Sequence, residues 1–299
     1  MTHSSIKYLI GVDGGGTGSR AVVAAPDGRS LGKGEGGPGN ISTNPVAARQ
    51  NILAAVSRAF DDAGIDASHF ADSACVMGLA GANIGTHAQH LLSDLPFALA
   101  TVVSDRETTV QGALGEADGC VAAIGTGSFF CNRLNGVDTN VGGWGFMVSD
   151  AGSGARLGLG LLRRTLECYD GLARHSDLTQ LVFSRFNNQA TELSDFALTA
   201  QPWEYAAFAR DLITAARAGD PHGQALLQQA TGQLEDCIKA TGFDGRTKLY
   251  LLGGLGPIYQ ELLSDFFKEA CAKPKGDALL GAIEMAKSLA RKQGPSHAD

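Results

Sequence analysis

The chain has 299 residues, of which 44% are apolar and 18% charged, and its net charge is −7. This length and composition are typical of a globular protein with room for two domains, and the acidic balance argues against nucleic acid or an anionic membrane surface as a partner. No apolar run approaches the roughly 18 residues of a membrane span. The N-terminal MTHSSIKYLIGVD lacks the basic region of a signal peptide, so we expect a cytoplasmic protein.

The six cysteines are scattered along the chain, and no two of them form a C-x-x-C pair. This spacing fits neither a zinc site nor a disulfide framework. We therefore expect buried thiols at these positions, which are Cys75, Cys120, Cys131, Cys168, Cys237 and Cys271.

In chain order, the first half predicts strands alternating with helices, with a turn at PDGR (residues 26–29) between the second and third strands. The predicted strands are Ile6–Val12, Ser19–Ala25, Ser30–Gly36, Ala74–Leu79 and Leu99–Ser104. The predicted helices are Pro45–Gly64, Thr86–Ser93 and Asp105–Gly115.

After residue 115 the pattern begins again, because CVAAIGTGSFFCNRL predicts a strand, a glycine-containing turn and a second strand. A last strand is expected at Lys248–Leu252. The helices predicted in this half are Gly152–Asp170, Leu178–Asn187, Tyr205–Ala218, Pro221–Thr241 and Asp277–Arg291. We place one domain at 1–115 and a second at 116–276, and we expect the two to pack around a central cleft because no Pro- or Ser-rich linker separates them.

Each half opens with a hairpin whose turn is rich in glycine and carries a hydroxyl residue: DGGGTGS at 13–19 and GTGS at 125–128. Glycine lets backbone N–H groups approach phosphate oxygens, and Thr or Ser hydroxyls add hydrogen bonds. Either turn alone fits an ordinary hairpin. Neither is a P-loop or a dinucleotide fingerprint, since no Lys-Ser/Thr follows and each leads into a strand. The pair indicates a polyphosphate site.

Several single residues have both a functional and a structural interpretation. Asp105, between a strand and a helix, could accept a proton from a substrate hydroxyl or could cap the helix. Asn40 fits an Asx-turn, and Asp150 fits a cap of the following helix. Trp144, between glycines, fits a ligand contact or a core position. The segment GGLG at 253–256 fits a nucleotide contact or a tight turn between strand and helix.

Taken in order, these segments resemble the sugar kinase, Hsp70 and actin superfold, and within it the BadF/BadG/BcrA/BcrD-type ATPases that include N-acetylglucosamine kinases. GVDGGGTGSR is similar to the first phosphate motif of that family, AIGTGS to the second and LLGGLG to the adenosine motif. GDALLGAIEMA is similar to the C-terminal helix, at about 277–292, that packs back near the first domain. GGWGFMVSDAGSGARLG is similar to the sugar-binding segment of N-acetylglucosamine kinases and bacterial glucosamine kinases.

The resemblance implies an α/β fold with two ribonuclease H-like domains, each with a mixed sheet flanked by helices. It also implies ATP and Mg²⁺ as cofactors, with Asp13 at the metal and Asp105 as the catalytic base. The implied ATP-binding residues are Gly14, Gly15, Gly16, Thr17, Thr126, Gly127, Gly253 and Gly254. The implied sugar-binding residues are Asn40, Ser128, Gly143, Trp144, Gly145 and Asp150.

Two positions depart from the family pattern. Phe129 stands where some animal N-acetylglucosamine kinases have a polar residue that touches the sugar. Arg106 follows Asp105 where the family has a small residue, and a cation there would lower the Asp105 pKa or point to solvent.

The resemblance therefore implies an ATP-dependent kinase that phosphorylates the 6-hydroxyl of N-acetyl-D-glucosamine, with D-glucosamine as the alternative substrate. An ATPase activator of an acyl-CoA dehydratase is disfavoured, because the scattered cysteines do not suit an iron–sulfur cluster. A sugar-sensing regulator is disfavoured because no DNA-binding extension precedes Ile6. The sequence does not fix the oligomeric state, and a homodimer stays open.

Overall fold

A computed structural model describes residues 6–83, 86–93 and 95–292. The contacts divide the chain into unit 1, which is Met1–Glu116 with Pro274–Asp299, and unit 2, which is Ala117–Lys273. Residues 1–5 of the N-terminal segment considered above lie outside the described part.

The described residues form nine strands and twelve α-helices. The strands are β1 (Tyr8–Gly14), β2 (Ser19–Ala24), β3 (Ser30–Gly36), β4 (Ser73–Leu79), β5 (Leu99–Ser104), β6 (Gly119–Ile124), β7 (Ser128–Leu134), β8 (Val137–Gly142) and β9 (Leu249–Leu252). The helices are α1 (Pro45–Asp62), α2 (His87–Leu92), α3 (Asp105–Leu114), α4 (Gly154–Tyr169), α5 (Asp177–Ser184), α6 (Ala190–Thr199), α7 (Pro202–Ala207), α8 (Ala209–Arg217), α9 (Pro221–Ala240), α10 (Gly256–Leu262), α11 (Asp265–Ala270) and α12 (Ala278–Lys292). A 3₁₀ helix spans Ala67–Asp72.

Unit 1 is a five-stranded sheet in the order β3-β2-β1-β4-β5. The β1–β2 and β2–β3 pairs are antiparallel, whereas β4 pairs in parallel with both β1 and β5. Successive side chains of a strand point to opposite faces. Accordingly, Ile10 and the buried residues on its side of the sheet pack with α1. Leu9 and the buried residues on the opposite side pack with Ile283 of α12. The sheet therefore has a helix on each face, and α12 brings the C-terminal part of the chain onto unit 1.

Local signals explain where the unit 1 helices begin. Asn44 caps α1 by accepting the Ala47 N–H at 3.1 Å, and Pro45 occupies the first turn. Ser104 and Glu107 form a capping box at the start of α3. These caps place the first turn of α3 directly after β5.

Unit 2 contains a four-stranded sheet in the order β8-β7-β6-β9. Its antiparallel β6–β7 and β7–β8 pairs and its parallel β6–β9 pair repeat the β3-β2-β1-β4 arrangement of unit 1. An isolated parallel bridge joins Leu249 to Cys271. The predicted α/β class, with two mixed sheets flanked by helices, is confirmed.

Unit 2 corrects three details of the sequence prediction. The helix expected at Tyr205–Ala218 is two helices, α7 and α8, which are separated at Phe208, a residue with helical dihedral angles whose ring packs against Phe186 and Phe196. Neither the edge strand β8 nor the helix α6 was expected.

All six cysteines are free thiols, four of them buried, namely Cys75, Cys120, Cys131 and Cys168. Cys237 and Cys271 are only partly buried, so the expectation of buried thiols holds for four of six. Within the described ranges, no helix combines the length and apolar character that crossing a membrane requires.

Candidate functional site

One edge of the unit 1 sheet collects the polar residues predicted for that half of the chain. Asp13 pairs with Gly78 near the carboxyl end of β1, and Asp105 directly follows β5. Parallel strands end at the same edge, and β4 separates the two, so their backbones lie about 10 Å apart. The Ile41 N–H donates to the Ala80 carbonyl at 3.1 Å, which brings the Asn40 loop to this edge as well.

The first glycine turn is anchored on both sides by its backbone. The Gly15 N–H donates to Gly18 O at 2.9 Å, and the Gly39 N–H donates to Gly15 O at 2.9 Å. The Ala80 N–H donates to Gly14 O at 2.8 Å. The turn is therefore held in place by the segments that follow β3 and β4.

The three consecutive glycines of this turn differ in their surroundings. A Cβ on Gly14 would lie 2.6 Å from Leu79 Cδ2, so packing requires glycine there. A Cβ on Gly15 would meet only Gly18 O, at 3.8 Å, and one on Gly16 would meet nothing within 4 Å. Neither Gly15 nor Gly16 has a positive φ. Among the residues that the structure describes, no contact or backbone angle explains glycine at 15 and 16, whereas close approach of a ligand to the backbone would.

Asp13 already has a cationic partner. Arg20 Nη2 lies 2.6 Å from Asp13 Oδ2, and Arg20 Nη1 lies 3.5 Å from Asp277 Oδ2, beside α12. The hydrogen bond to Asp13 raises the pKa of Arg20. Sequence reasoning did not single out Arg20, although it closes the GVDGGGTGSR segment.

Asp105 is the first residue of α3, and the capping residue is Ser104, so the interpretation of Asp105 as the helix cap is wrong. Burial is the main cause that raises the pKa of Asp105, and the charge of Asp13 raises it further. The Arg106 N–H, 2.9 Å from Asp105 Oδ1, and the Arg106 charge lower that pKa, but the net shift is upward. Asp105 is therefore more basic than an ordinary carboxylate.

Asn40 forms the expected Asx-turn. Its Oδ1 accepts the Ser42 N–H at 2.9 Å and the Ser42 hydroxyl at 2.8 Å. A Cβ on Gly81, where φ is +81°, would lie 2.8 Å from the same oxygen. With Oδ1 engaged in this way, Nδ2 is the group of Asn40 suited to bind a hydroxyl.

The second glycine turn, Gly125–Ser128, follows β6 in unit 2. The first two N–H groups of α4 hold it: Gly154 donates to Gly125 O at 2.8 Å and Ala155 to Thr126 O at 3.2 Å. A Cβ on Gly125 would meet nothing within 4 Å. The helix N-terminus thus fixes the turn carbonyls, while Gly125 is open to a ligand.

The loop Gly142–Ser149 carries the predicted sugar-binding residues Gly143, Trp144 and Gly145. Gly142, Gly143 and Gly145 all have positive φ, at 72°, 71° and 95°. Trp144 is 77% exposed, so the core interpretation of this residue is wrong. Phe146 instead anchors the loop, with its ring centroid 4.8 Å from that of Tyr205.

Asp150 ends this loop and is buried, with φ +67°. Ser153 caps α4, so Asp150 is not the helix cap. The carboxylate of Asp150 accepts the backbone N–H groups of Gly145 and Ser128, which lower its pKa, but burial has the larger effect and the pKa is raised. The Ser128 hydroxyl donates to Ala151 O at 2.7 Å.

Two glycines follow β9, at the same sheet edge as the second turn because β6 and β9 are parallel. Gly253 has φ +81°, and a Cβ there would lie 2.3 Å from Ile124 O. A Cβ on Gly254 would meet nothing within 4 Å. The tight turn therefore explains Gly253, and Gly254 stays a candidate for ligand approach.

The sequence from residue 10 to 273 matches the BadF/BadG/BcrA/BcrD ATPase family. The chain belongs to this family. The glucosamine kinase GspK of Vibrio cholerae serotype O1 is 31% identical over 284 residues, which are 94% of this chain and 96% of that protein. The N-acetyl-D-glucosamine kinase of Dictyostelium discoideum is 31% identical over 172 residues, which are 53% of each protein.

Among solved structures, a candidate N-acetylglucosamine kinase from Chromobacterium violaceum superimposes with a TM-score of 0.88 and 34% identity. The match covers 94% of this chain and 99% of that one. Family membership implies use of ATP. The family resemblance and the fold that the sequence predicted are confirmed.

An ATPase of this family implies Mg²⁺, and Asp13 suits this ion. In the ranges the structure describes, no three His, Cys, Asp or Glu side chains are grouped as a metal site. Mg²⁺ is commonly held by one or two carboxylates, waters and the substrate phosphates rather than by a cage of side chains. Asp13, beside the first turn and 21% exposed at its side chain, offers one such carboxylate, and Mg²⁺ there would share it with Arg20, which is paired with Oδ2.

Proposed function

We propose that the protein is an ATP-dependent hexosamine kinase that transfers the γ-phosphoryl group of ATP to the 6-hydroxyl of N-acetyl-D-glucosamine. The observation that carries this proposal is Asp105. It is a carboxylate of raised pKa at the sheet edge where Gly15 and Gly16 are open to a ligand. The named relatives in the same family support an amino-sugar substrate.

ATP would bind through both glycine turns. Gly15, Gly16 and Thr17 would contact the β- and γ-phosphates, since Gly16 and Thr17 are exposed and the turn backbone is fixed. Thr126, also exposed, and Gly127 would contact the phosphates from the second turn, and Gly254 would lie near the adenosine.

Asp105 would act as general base. It would accept the proton of the sugar 6-hydroxyl as that oxygen forms a bond to the γ-phosphorus, while the bond from this phosphorus to the oxygen bridging it to the β-phosphate breaks and ADP leaves. A carboxylate with a raised pKa takes up this proton more readily than an ordinary one. Mg²⁺ held beside Asp13 would neutralise phosphate charge.

The loop Gly142–Ser149 favours an acetamido group over a free amine. A protonated amine would need a carboxylate, and Asp150, the carboxylate that ends this loop, already accepts two N–H groups. Trp144 and Phe146 offer apolar surface for a methyl group. D-glucosamine is the second candidate, because the Vibrio cholerae relative named for it matches nearly the whole chain.

The test is ADP release by the purified protein with N-acetylglucosamine, glucosamine, N-acetylmannosamine and glucose, each with MgATP. We expect the largest kcat/KM with N-acetylglucosamine, and Asp105→Asn to lower kcat by about 10²–10⁴-fold while both substrates still bind. Asp195→Asn, on the exposed face of α6, is not predicted to touch substrate and serves as the matched acid-to-amide variant.

Near-normal turnover by the Asp105→Asn variant would contradict the role of Asp105. ADP release without any sugar, from a coloured protein, would favour the dehydratase activator, and no ADP with any hexosamine would favour a sugar-sensing regulator. A homodimer and a cytoplasmic location, where ATP is available, remain part of the proposal.

A further inference from the structure

The carboxyl group of Asp150 joins two separate segments of unit 2. Its Oδ2 lies beside Gly127 of the second glycine turn, where a Cβ would come within 2.8 Å of it, and Asp150 itself ends the loop Gly142–Ser149. The backbone N–H groups of Ser128 and Gly145 both lower the pKa of this carboxyl group. The first segment is the one proposed to contact phosphate, and the second is the one proposed to contact the sugar.

The residues around Asp150 leave room for its carboxylate beside the second glycine turn. A Cβ on Gly127 would lie 2.8 Å from Asp150 Oδ2 and 3.4 Å from its Cγ, so glycine at 127 is what admits the carboxylate beside the turn. The residue is 7% exposed, and φ +67° aims its side chain into the turn. Left-handed backbone is uncommon for a residue other than glycine, which makes this conformation a specific feature.

A purely structural role does not account for an acid at this position. Glycine or asparagine would adopt φ +67° without burying a charge, and burial raises the pKa of Asp150 even though the charge of Arg156 lowers it. A carboxylate, however, has two oxygens that accept hydrogen bonds and none that donates, which is what two converging N–H groups require.

From this geometry we propose that Asp150 is a positioning residue for the second glycine turn, and that nucleotide affinity and sugar affinity are coupled through it. The inference rests on the proposed kinase function. If bound sugar changes the nucleotide affinity through Asp150 by some factor, bound nucleotide must change the sugar affinity by the same factor, because the coupling between two ligands is reciprocal.

The experiment measures binding of ADP with Mg²⁺ by titration calorimetry, without and with saturating N-acetylglucosamine, for the wild-type protein and for the Asp150→Asn and Asp150→Gly variants. The factor by which the sugar changes ADP affinity should fall toward one in both variants, and an unchanged factor would contradict the coupling. Both variants accept φ +67°, but asparagine retains one acceptor oxygen and glycine none. We expect about tenfold weaker ADP binding for asparagine and a larger loss for glycine, as for loss of hydrogen bonds to a charged group. The matched control is Asp138→Asn, which removes an exposed carboxylate of β8 that pairs with Arg133, and it should bind ADP normally.

The outcomes separate the inference from the proposed function. Wild-type protein that binds neither ADP nor ATP would refute the kinase proposal itself. Wild-type binding of ADP, with variants that lose only N-acetylglucosamine affinity, would overturn the inference and leave Asp150 as a sugar ligand alone.

A double-mutant cycle with Gly127→Ala keeps the inference testable if an Asp150 variant folds poorly. The added methyl group displaces the carboxylate without removing it, so Gly127→Ala should itself weaken ADP binding. If that effect acts through Asp150, the Gly127→Ala, Asp150→Gly double variant should bind ADP no more weakly than the weaker single variant. Losses that add would mean that the methyl group obstructs the phosphates directly, and this would contradict the inference.

Discussion

Three adjacent glycines, Gly14, Gly15 and Gly16, have different physical reasons to be glycine. Gly14 lies against the fully buried Leu79 side chain and the Gly39 backbone. Gly15 and Gly16 have room for a methyl group and φ values that alanine tolerates. If a phosphate approaches this backbone, an alanine at 16 would affect ligand binding alone, and an alanine at 14 would affect folding.

We therefore expect Gly16→Ala to leave the melting temperature unchanged and to weaken ADP–Mg²⁺ binding by about tenfold or more, because the methyl group blocks an N–H from the phosphate. Gly14→Ala should instead destabilise the protein by about 1–3 kcal/mol through overpacking. Calorimetric titration and thermal unfolding of both variants measure the two effects. If the Gly16→Ala variant binds ADP as tightly as the wild-type protein, the first glycine turn is not part of the phosphate site.

Single-residue roles were the hardest to predict from the sequence, and the two acids show why. Both Asp105 and Asp150 stand near the start of a helix, and Asp is a common cap. In each case a serine, Ser104 or Ser153, takes the cap, because the position relative to the first helical residue decides which oxygen reaches the free N–H groups. The ion pair between Asp13 and Arg20 depends on the register of β1 with β2, which pairs these two positions directly.

At the scale of elements, α3 and α12 approach each other through glycines. A Cβ on Gly281 of α12 would lie 1.9 Å from Thr108 O, and one on Gly112 of α3 would lie 1.9 Å from Asp277 O. The two helices therefore touch backbone to backbone. Since Asp105 begins α3, this contact also helps to fix the carboxylate of Asp105 relative to β1.

Gly281→Ala should lower the free energy of unfolding by about 1–3 kcal/mol, because α12 must move away from α3 to admit the methyl group. Gly232→Ala is the matched control. Gly232 lies inside α9 with nothing within 4 Å of the position a Cβ would take, so alanine there should stabilise the protein by about 0.5–1 kcal/mol. Chemical denaturation of both variants checks the pair. Equal stability of the Gly281→Ala and wild-type proteins would contradict the close contact.

The strands and longer helices of unit 1 were predictable from the sequence. In each segment the spacing of apolar residues, the capping residue and the glycine that follows all indicate the same element. The strand Leu99–Ser104, for example, was predicted with its observed bounds. The edge strand β8 was not, since most of its side chains are exposed and VDTNVG shows no apolar alternation. The break at Phe208 also has no local signal, because neither Gly nor Pro stands between Tyr205 and Ala218.

For the molecule as a whole, the sheet order of unit 1 recurs in unit 2, and each sheet has a glycine turn after its central strand β1 or β6. One residue at that edge of the unit 1 sheet is Asp105, and burial disfavours the charged form of its carboxylate. The catalytic role proposed for Asp105 therefore has a cost in the stability of the whole protein.

The sign of this effect follows from the raised pKa of Asp105. Between its unfolded pKa, about 3.9, and its higher folded pKa, the folded protein binds more protons than the unfolded one, so the contribution of Asp105 to stability falls as pH rises through that window and stays low above it. Asp105→Asn should accordingly raise the melting temperature at neutral pH, and the advantage should shrink and vanish as pH falls below about 4.

Asp66 provides the control of opposite sign. Its pKa is lowered by the hydroxyl and the N–H of Ser68, so its contribution is present above the unfolded pKa and is lost as pH falls through the folded one. Asp66→Asn should therefore slightly lower the melting temperature at neutral pH and leave it unchanged in acid. Thermal unfolding of the three proteins from about pH 2 to pH 8 covers both windows and tests both signs. If Asp105→Asn melts at or below the wild-type temperature at pH 7, the buried charge of Asp105 is compensated within the folded protein, and the basis for its proposed role as a strengthened base is lost.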